Sequence, residues 1–426
     1  MKLKLLLFLF VLLPSSSVWA DVKIDAVNFP DAKFRNYLLD KFYGHDGVLK
    51  DYEIAEITSL ALTGMDIQSL KGIEYLTALT WLGCSENKLT ELDISKNTKL
   101  TKLLCTRNKL TKLDVSKNTA LTELSCYENK LTELDVSKNT MLTELHCEAN
   151  QLTSLDVSKN TALVALYCQD NELTSLDVSK NTALEWMLCD NNHLTTLDVS
   201  KNTALVTLHC QSNQLTSLDI SKNTGLEWLW CHNNQLTSLD VSKNTALTDL
   251  TCGTNELTEL DLSKNTALES LHCCNTPLTS LDVSKNTALK DLYCFKNQLT
   301  SLDLSKNTKL GWLECYQNQI KYAGMDALVE SLPTVYNGRM HAIYSEEEGN
   351  VMTTAQVVAA MVKGWKAYYY DGEDWQIYTG SKEDPDGIGN VNVNDNVNDV
   401  YDLSGRRIAS PRKGVNIING RKVLVK

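Results

Sequence analysis

Cysteine is the residue type whose number and spacing in this chain suggest chemistry most directly. The sequence of 426 residues contains thirteen cysteines, and twelve of them recur at intervals of 21 residues. These twelve are Cys84, Cys105, Cys126, Cys147, Cys168, Cys189, Cys210, Cys231, Cys252, Cys273, Cys294 and Cys315. Cysteines can bind zinc or form disulfides. Which chemistry applies depends on where the surrounding elements place the sulfur atoms.

The residues around each cysteine form a repeat that predicts those elements. One representative unit contains Leu100, Leu103, Cys105, Asn108, Leu110 and Leu113. This spacing is the leucine-rich pattern L-x-x-L-x-L-x-x-N-x-L, with Cys105 in the place of the third leucine. A single unit cannot bury its apolar face, so the units must stack. The sequence therefore predicts an α/β leucine-rich-repeat solenoid over residues 60–320, with a curved parallel β-sheet.

A short strand at residues 103–105 would alternate its side chains between the two faces of the sheet. Leu103 and Cys105 then point inward, and the residues beside them point outward. We expect Asn108 and its equivalents to hydrogen-bond loop backbone groups of neighbouring units, as a buried loop requires. On the return path, Asp114, Lys117 and their equivalents predict a solvated charged surface, and the Ser-Lys-Asn-Thr segments predict turns.

The expected strand spacing argues against disulfides and zinc at the cysteine positions. Adjacent strands lie about 4.8 Å apart, whereas the Cβ atoms of a relaxed disulfide lie about 3.8 Å apart. Zinc needs ligands that converge on one point, and these cysteines extend along a line. We therefore expect a ladder of buried free thiols. Cys274 lies outside the period at an outward position, either as an exposed thiol or as part of an irregular unit.

The outward strand positions vary between units and carry aromatic residues that the inward positions lack. Two patches of candidate ligand-binding residues result. The central patch consists of Tyr167, Trp186, Leu188, His209, Trp228, Trp230 and His232. The second patch consists of Tyr293, Phe295, Trp312 and Tyr316. Clustered Trp and Tyr side chains on an exposed face are typical of binding hot spots, although they could instead cover one another and stabilise the sheet.

The charge of the chain narrows the class of partner. The net charge is -12 and the pI is about 5.2, which argues against nucleic acid and anionic membranes as partners. We therefore expect a monomer that binds a neutral or basic partner, either an extracellular protein or a glycan stacked on the indole rings. No catalytic residue, metal or cofactor is expected.

Two alternative functions remain open. The chain could be a self-associating structural protein of a cell surface. It could also be a hydrolase with His209 beside Glu185 or Glu227, although an open sheet lacks the water-excluding pocket that catalysis needs.

The N-terminal end departs from the repeat. Residues 1–20 carry two lysines, an apolar run and a closing alanine, which is the layout of a cleaved export signal. The apolar run is too short to cross a bilayer, and no membrane span is expected elsewhere. Residues 21–59 predict a helical cap with helices at 30–42 and 52–57. Between them, Asp46 to Glu53 match only the second half of a calcium-binding EF-hand loop, so a metal-free helix pair is favoured.

The C-terminal end divides into three parts. Residues 321–380 predict a small mixed cap with two helices and strands at 339–344 and 368–370. Residues 381–398 are rich in Gly, Asn and Asp and predict a linker. Residues 399–426 predict a short β module of two hairpins, the second with an Asn-Gly turn.

The repeat array resembles the internalin J type of the internalin family, in which 21-residue leucine-rich repeats carry a cysteine ladder. This resemblance covers residues 60–320 and implies a surface adhesin with a helical N-terminal cap, but without a Gram-positive cell-wall anchor. The ending, from Val400-Tyr401-Asp402-Leu403-Ser404-Gly405-Arg406 to Lys426, is similar to the C-terminal sorting domain of type IX secretion substrates. That second resemblance implies a Gram-negative bacterium and a location on the cell surface or in the medium.

Overall fold

The computed structural model describes residues 21–345 and 349–381 and the backbone of four strands between 400 and 425. The predicted export signal (1–20) and all but the first residue of the predicted linker lie outside the described residues. Two compact units can be distinguished, Met1–Asn139 and Thr140–Lys426. No helix in the described ranges combines the length and the apolar composition that crossing a membrane requires.

The first unit begins with the predicted helical cap. Its elements are β1 (Val22–Lys23), α1 (Ala32–Leu39), β2 (Val48–Leu49) and α2 (Asp51–Glu56), and β1 pairs antiparallel with β2. Helix α1 starts at residue 32 because Asp31 is its N-cap, whose carboxylate accepts the N–H groups of Lys33 and Phe34 at 2.9 and 3.1 Å. The helix is therefore shorter than the predicted 30–42. Phe34 and Leu38 on its inner side are fully buried.

The carboxylates of the EF-hand-like segment are engaged by the protein itself. Lys50 Nζ lies 2.6 Å from Asp46 Oδ2, and the Lys50 backbone N–H donates to Glu53 Oε2 at 2.9 Å. The hydrogen bond from Lys50 also lowers the pKa of Asp46. These contacts support the interpretation of the segment as a structural helix pair, because both acidic groups stabilise the start of α2.

One three-residue strand per repeat builds the sheet of each unit. The first unit contains β3 (Ser59–Ala61), β4 (Trp81–Gly83), β5 (Lys102–Leu104) and β6 (Glu123–Ser125), with one 3₁₀ turn at Ile73–Tyr75. The second contains β7 (Glu144–His146), β8 (Ala165–Tyr167), β9 (Trp186–Leu188), β10 (Thr207–His209), β11 (Trp228–Trp230), β12 (Asp249–Thr251), β13 (Ser270–His272), β14 (Asp291–Tyr293) and β15 (Trp312–Glu314). Strands pair in parallel without register shifts, as Leu103 with Leu124. The predicted leucine-rich-repeat solenoid is confirmed, with each strand beginning one residue earlier than expected.

The middle residue of each strand from β4 to β15 and the cysteine after that strand both face the core. Leu103 and Cys105 are fully buried, as their spacing predicts. All thirteen cysteines are free thiols. Desolvation raises the pKa of Cys84 to about 12 and that of Cys105 well above its usual range. The ladder sulfurs therefore stay protonated and pack as small hydrophobic groups.

The predicted asparagine ladder satisfies backbone groups beside the strands. Asn108 Nδ2 donates to the carbonyls of Cys84 and Cys105 at 3.0 and 3.1 Å. Its Oδ1 accepts the N–H of Leu89 at 3.0 Å. One amide thus bridges two adjacent repeats, which confirms the role expected for this position.

A second asparagine ladder runs through the Ser-Lys-Asn-Thr segments and was not predicted. Asn202 is fully buried, and its Nδ2 donates to the carbonyls of Val178 and Asn181 at 3.0 and 2.8 Å. The expectation of a turn was correct, but the asparagine points into the protein and ties each turn to the previous one. The exposed Asp198 of the same repeat closes the turn, because its Oδ1 accepts the Ser200 N–H at 2.9 Å.

In the second unit, the C-terminal cap extends the sheet. Its elements are α3 (Ala323–Ser331), β16 (Gly338–Ile343), α4 (Thr354–Val362), β17 (Trp365–Tyr370) and β18 (Trp375–Ile377). Strands β15, β16 and β17 are parallel, and β18 returns antiparallel to β17. Trp365 is fully buried, and its Nε1 donates to the Pro333 carbonyl at 2.8 Å. The cap therefore has the predicted mixture of helices and strands.

The C-terminal module contains both predicted hairpins. Its strands are β19 (Val400–Tyr401), β20 (Arg407–Ile408), β21 (Gly414–Ile418) and β22 (Arg421–Val425). The pairs β19–β20 and β21–β22 are antiparallel, and β19 also pairs with β21. The two hairpins therefore form one four-stranded sheet.

Candidate binding face

The outward positions of β8 to β12, together with the residue after the cysteine that follows each strand, form what we call the binding face. Strand pairing places Tyr167, Leu188, His209 and Trp230 at matching positions of four consecutive strands. The constant inward residues dictate this alignment, because a shift by one residue would bury the outward side chains. The structure thus brings four of the seven central-patch residues into one row.

Two further indoles belong to a neighbouring row. Trp186 and Trp228 both pair with Thr207, which lies between them. Trp186 is 38% exposed and Trp228 is 41% exposed, whereas Thr207 is only 8% exposed. The remaining central residue, His232, follows Cys231 and is half-buried. All seven predicted residues of the central patch therefore lie on the binding face.

Trp230 is held in place by its neighbours. Its ring stacks on the His209 ring with a centroid distance of 4.2 Å and an interplanar angle of 2°. Its Nε1 also donates to Asp249 Oδ1 at 2.8 Å. The indole nevertheless remains 36% exposed, so it offers a ring whose orientation is set in advance.

Burial alters the protonation of several groups on this face. It lowers the pKa of His209 and His232, which favours the neutral imidazoles at pH 7. It raises the pKa of Asp190 to about 6, and the nearby Asp170 carboxylate adds to this effect. Asp190 is only 8% exposed, so its carboxyl group is largely shielded from solvent.

The histidine of the hydrolase alternative has a different environment from the one expected. The carboxylate whose charge acts on the pKa of His209 is Asp249, not Glu185 or Glu227. Its imidazole is also stacked flat on an indole. This arrangement is typical of a packing contact and gives the predicted acid–base pair no support.

The second patch is largely a packed cluster. Tyr316 is only 7% exposed, so its expected place on an open surface is wrong. Its ring lies 4.5 Å from Phe295, 5.2 Å from Tyr344 and 5.3 Å from Trp375, measured between centroids. The cap supplies the last two rings, Tyr344 directly after β16 and Trp375 from β18, and they cover Tyr316. Sequence reasoning missed them because they lie outside the repeat.

The other members of the second patch also contact neighbouring side chains. Tyr293 stacks on His272 at 3.9 Å. The Arg339 guanidinium lies over the Trp312 ring at 5.2 Å, and Trp312 Nε1 donates to Glu314 Oε1 at 3.0 Å. Tyr293, Phe295 and Trp312 remain half-buried. Mutual packing therefore accounts for this patch better than for the central one.

Three basic residues at or beside the outward strand positions, Lys102, Arg107 and Lys290, are paired with acids. Lys102 Nζ lies 2.7 Å from Glu123, and Lys290 Nζ lies 2.6 Å from Glu269. Arg107 contacts Glu86 and Glu128, both at 3.1 Å. Each of these cations is therefore neutralised by a neighbouring carboxylate.

Cys274 belongs to an irregular unit rather than to an open reactive site. A Cβ atom on Gly253 would lie 2.9 Å from Cys274 Sγ and 2.5 Å from its carbonyl oxygen. The half-buried thiol thus fills the space that this glycine leaves. In the same unit Thr276 replaces the ladder asparagine, and its hydroxyl lies 3.0 Å from the Cys273 carbonyl and 2.7 Å from Asn297 Oδ1.

Comparison with known proteins places this architecture among leucine-rich-repeat proteins. A family model described as "Leucine Rich repeat" matches residues 190–205. No curated protein matches the sequence. The functional domain of InlJ from Listeria monocytogenes, described as including a cysteine ladder, is 36% identical, with a TM-score of 0.62. The match covers 76% of this chain and 83% of that domain.

Two other solved structures extend the comparison. The internalin InlF from Listeria monocytogenes is 26% identical over 70% of this chain and 92% of its own, with a TM-score of 0.64. YopM from Yersinia enterocolitica is 22% identical over 79% of this chain and 68% of its own, with a TM-score of 0.60, and is similar in fold. Leucine-rich-repeat proteins of this type are generally non-enzymatic binding proteins.

Proposed function

We propose, from the premise that this chain belongs to the internalin family of leucine-rich-repeat proteins, that it is an adhesin-like protein which binds an extracellular protein or glycan. The binding face would carry this activity through its central patch. The observation that supports this most directly is the exposure of Trp186, Trp228 and Trp230, each between 36% and 41%. Large aromatic side chains exposed together usually mark an interaction site.

The repeat architecture explains why binding would reside on this face. Buried leucines, cysteines and asparagines hold the backbone, so the outward residues are not needed for the core. Because the strand is already rigid, binding does not include the entropic cost of ordering the site. The stacked and hydrogen-bonded Trp230 is a preorganised contact of this kind.

We further propose that the protein is exported and acts at the surface of a Gram-negative bacterium or in its medium. The apolar segment with two lysines at residues 1–20 and the ending similar to a type IX sorting domain support this. Expression in a type IX-competent host, followed by mass spectrometry of the surface fraction, tests the route. Retention of residues 1–20 in the mature protein, or unchanged export after deletion of residues 399–426, would contradict it.

The binding function is tested by replacing Trp186, Trp228 and Trp230 together with alanine. We expect at least a tenfold loss of binding to host cells, extracellular matrix or a glycan array, equivalent to about 1.4 kcal/mol. A matched control replaces Lys180, Lys201 and Lys222, exposed turn residues of the same repeats. Unchanged binding by the tryptophan variant would reject the central patch. Concentration-dependent sizing separates this function from self-association, which predicts larger species at higher concentration.

A further inference from the structure

The spacing of two exposed indoles defines a clamp on the binding face. We use the name indole clamp for Trp186 and Trp228 with Thr207 between them. Because the indoles are two strands apart in a parallel sheet, their Cα atoms are separated by about 9.6 Å. Thr207, between the two indoles, is only 8% exposed. In the part of the chain that the structure describes, neither clamp indole stacks on another ring, unlike Trp230.

The charge around the clamp has one sign. Between residues 164 and 275, strands β8 to β13 and the three residues on either side of each strand contain no Lys or Arg. They contain six carboxylates, at Asp170, Glu185, Asp190, Glu227, Asp249 and Glu269. Glu185 and Glu227 directly precede the two clamp indoles, and neither forms an ion pair within the described residues. Aromatic faces surrounded by carboxylates favour a cation over an anion.

We infer that the indole clamp binds the guanidinium or ammonium group of an arginine or lysine side chain from a protein partner. At the spacing of their Cα atoms, a group midway between the two residues would lie about 4.8 Å from each, within the roughly 6 Å over which a cation is attracted to an aromatic face. This inference rests on the proposed binding function and names the chemistry that the central patch recognises. A neutral glycan could stack on the same indoles but would make no use of the carboxylates.

The chain already contains the proposed contact in intramolecular form. Arg339 lies over the ring of Trp312 at 5.2 Å, and Arg107 lies over the ring of Tyr127 at 5.9 Å. Trp186 and Trp228, by contrast, lie on either side of Thr207, and no cation among the described residues lies over either ring. The partner would therefore provide the group that Arg339 provides to Trp312.

The first experiment needs no variant. The full chain is titrated with an acetylated hexaarginine amide and with its hexacitrulline counterpart, in which a neutral urea of the same shape replaces each guanidinium. Tryptophan fluorescence or calorimetry measures the affinity at low salt. We expect the arginine peptide to bind at least about tenfold more tightly. Equal affinity for the two peptides would overturn the inference.

Variants then locate the contact. Trp186→Ala or Trp228→Ala should lower the affinity for the arginine peptide about tenfold. Trp186→Phe should lower it less, because a phenyl ring retains a weaker attraction for cations. Trp81→Ala is the matched control, since this half-buried tryptophan occupies the equivalent first position of β4 and lies outside both patches, and it should change the affinity less than twofold. An equal loss in Trp81→Ala and Trp186→Ala would overturn the inference that the clamp binds the cation.

The failure of this inference can be told apart from the failure of the proposed function. Cell or glycan binding could require the three tryptophans while the arginine peptide does not compete for it. In that case the indole clamp does not bind a cation, but the proposed binding function of the face stands. If the triple variant binds cells normally, the proposed function itself is wrong.

Discussion

At the scale of single residues, each cysteine repeat holds one residue in the left-handed region of backbone space. These residues are Glu86, Arg107, Glu128, Ala149, Asp170, Asn191, Ser212, Asn233, Thr254, Asn275, Lys296 and Gln317, with φ between 50° and 56°. Glycine and asparagine adopt this conformation at low cost, whereas a β-branched residue does so poorly. Thr254 is therefore the least suitable member of the set.

Replacement of Thr254 by asparagine should stabilise the protein by about 1 kcal/mol. The exposed side chain makes no core contact that the change would remove. Denaturant unfolding measures the free energy. The reverse change at an equivalent site, Asn233→Thr, should destabilise the protein by a similar amount. If both substitutions changed the free energy of unfolding in the same direction, the backbone conformation would not explain their effects.

Asp190 links stability to pH. Its folded pKa, about 6, lies above the ordinary value of 3.8, so folding favours the protonated form. Its favourable contribution is therefore complete below about pH 3.8 and is lost as the pH rises through about 6. The surroundings include Asp170, which repels it, and the Asn191 amide, 3.2 Å from Asp190 Oδ2.

Asp190→Asn should accordingly stabilise the protein by about 1 kcal/mol at pH 8 and by little at pH 4. Thermal unfolding across this range measures the difference. The exposed Glu172→Gln serves as the control and should change stability by less than about 0.5 kcal/mol at pH 8. A constant difference between Asp190→Asn and the parent at both pH values would contradict the shifted pKa.

At the scale of elements, the turns contribute more to stability than their exposed sequence suggests. The buried turn asparagine bonds two carbonyls of the previous repeat, whereas the aspartate of the same turn bonds one N–H in solvent. Loss of a buried donor leaves its acceptors unpaired, while water can replace an exposed acceptor. The two polar side chains of one turn therefore differ in importance.

Asn202→Ala should destabilise the protein by about 2–3 kcal/mol, because the carbonyls of Val178 and Asn181 would lose their buried donor. Asp198→Ala in the same turn should cost less than about 1 kcal/mol. Chemical denaturation of both variants gives the comparison. Equal costs would indicate that the asparagine is hydrated and that the second ladder is not structural.

At the scale of the whole molecule, the thiols report on folding. Twelve cysteines are buried and only Cys274 is partly exposed. A thiol reagent should label at most Cys274 quickly in the native protein and all thirteen cysteines after denaturation without reductant. The reason is that burial both shields the ladder sulfurs and raises their pKa, as at Cys84, to about 12. Few free thiols after denaturation would indicate disulfides instead.

The sequence by itself determined the repeat, the facing of its residues and the type of fold. Period and residue type suffice for this, because a 21-residue unit with leucine, cysteine and asparagine at constant positions can bury its apolar side only by stacking. The same periodicity identified the outward positions, and the seven residues of the central patch lie on that side of the sheet. Trp186 and Trp228 are exposed, whereas Trp312 at the equivalent position of its strand is half-buried, so exposure did not follow from position alone.

Only the tertiary structure decided which outward residues are covered and how they are held. Tyr316 is buried because it packs against Tyr344 and Trp375, which belong to the cap and do not follow the repeat. The turn asparagines are buried because each reaches carbonyls at least 21 positions earlier in the chain. The stack of His209 on Trp230 likewise joins adjacent strands. Burial and side-chain orientation depend on neighbours distant in sequence, and a local pattern contains no information about those neighbours.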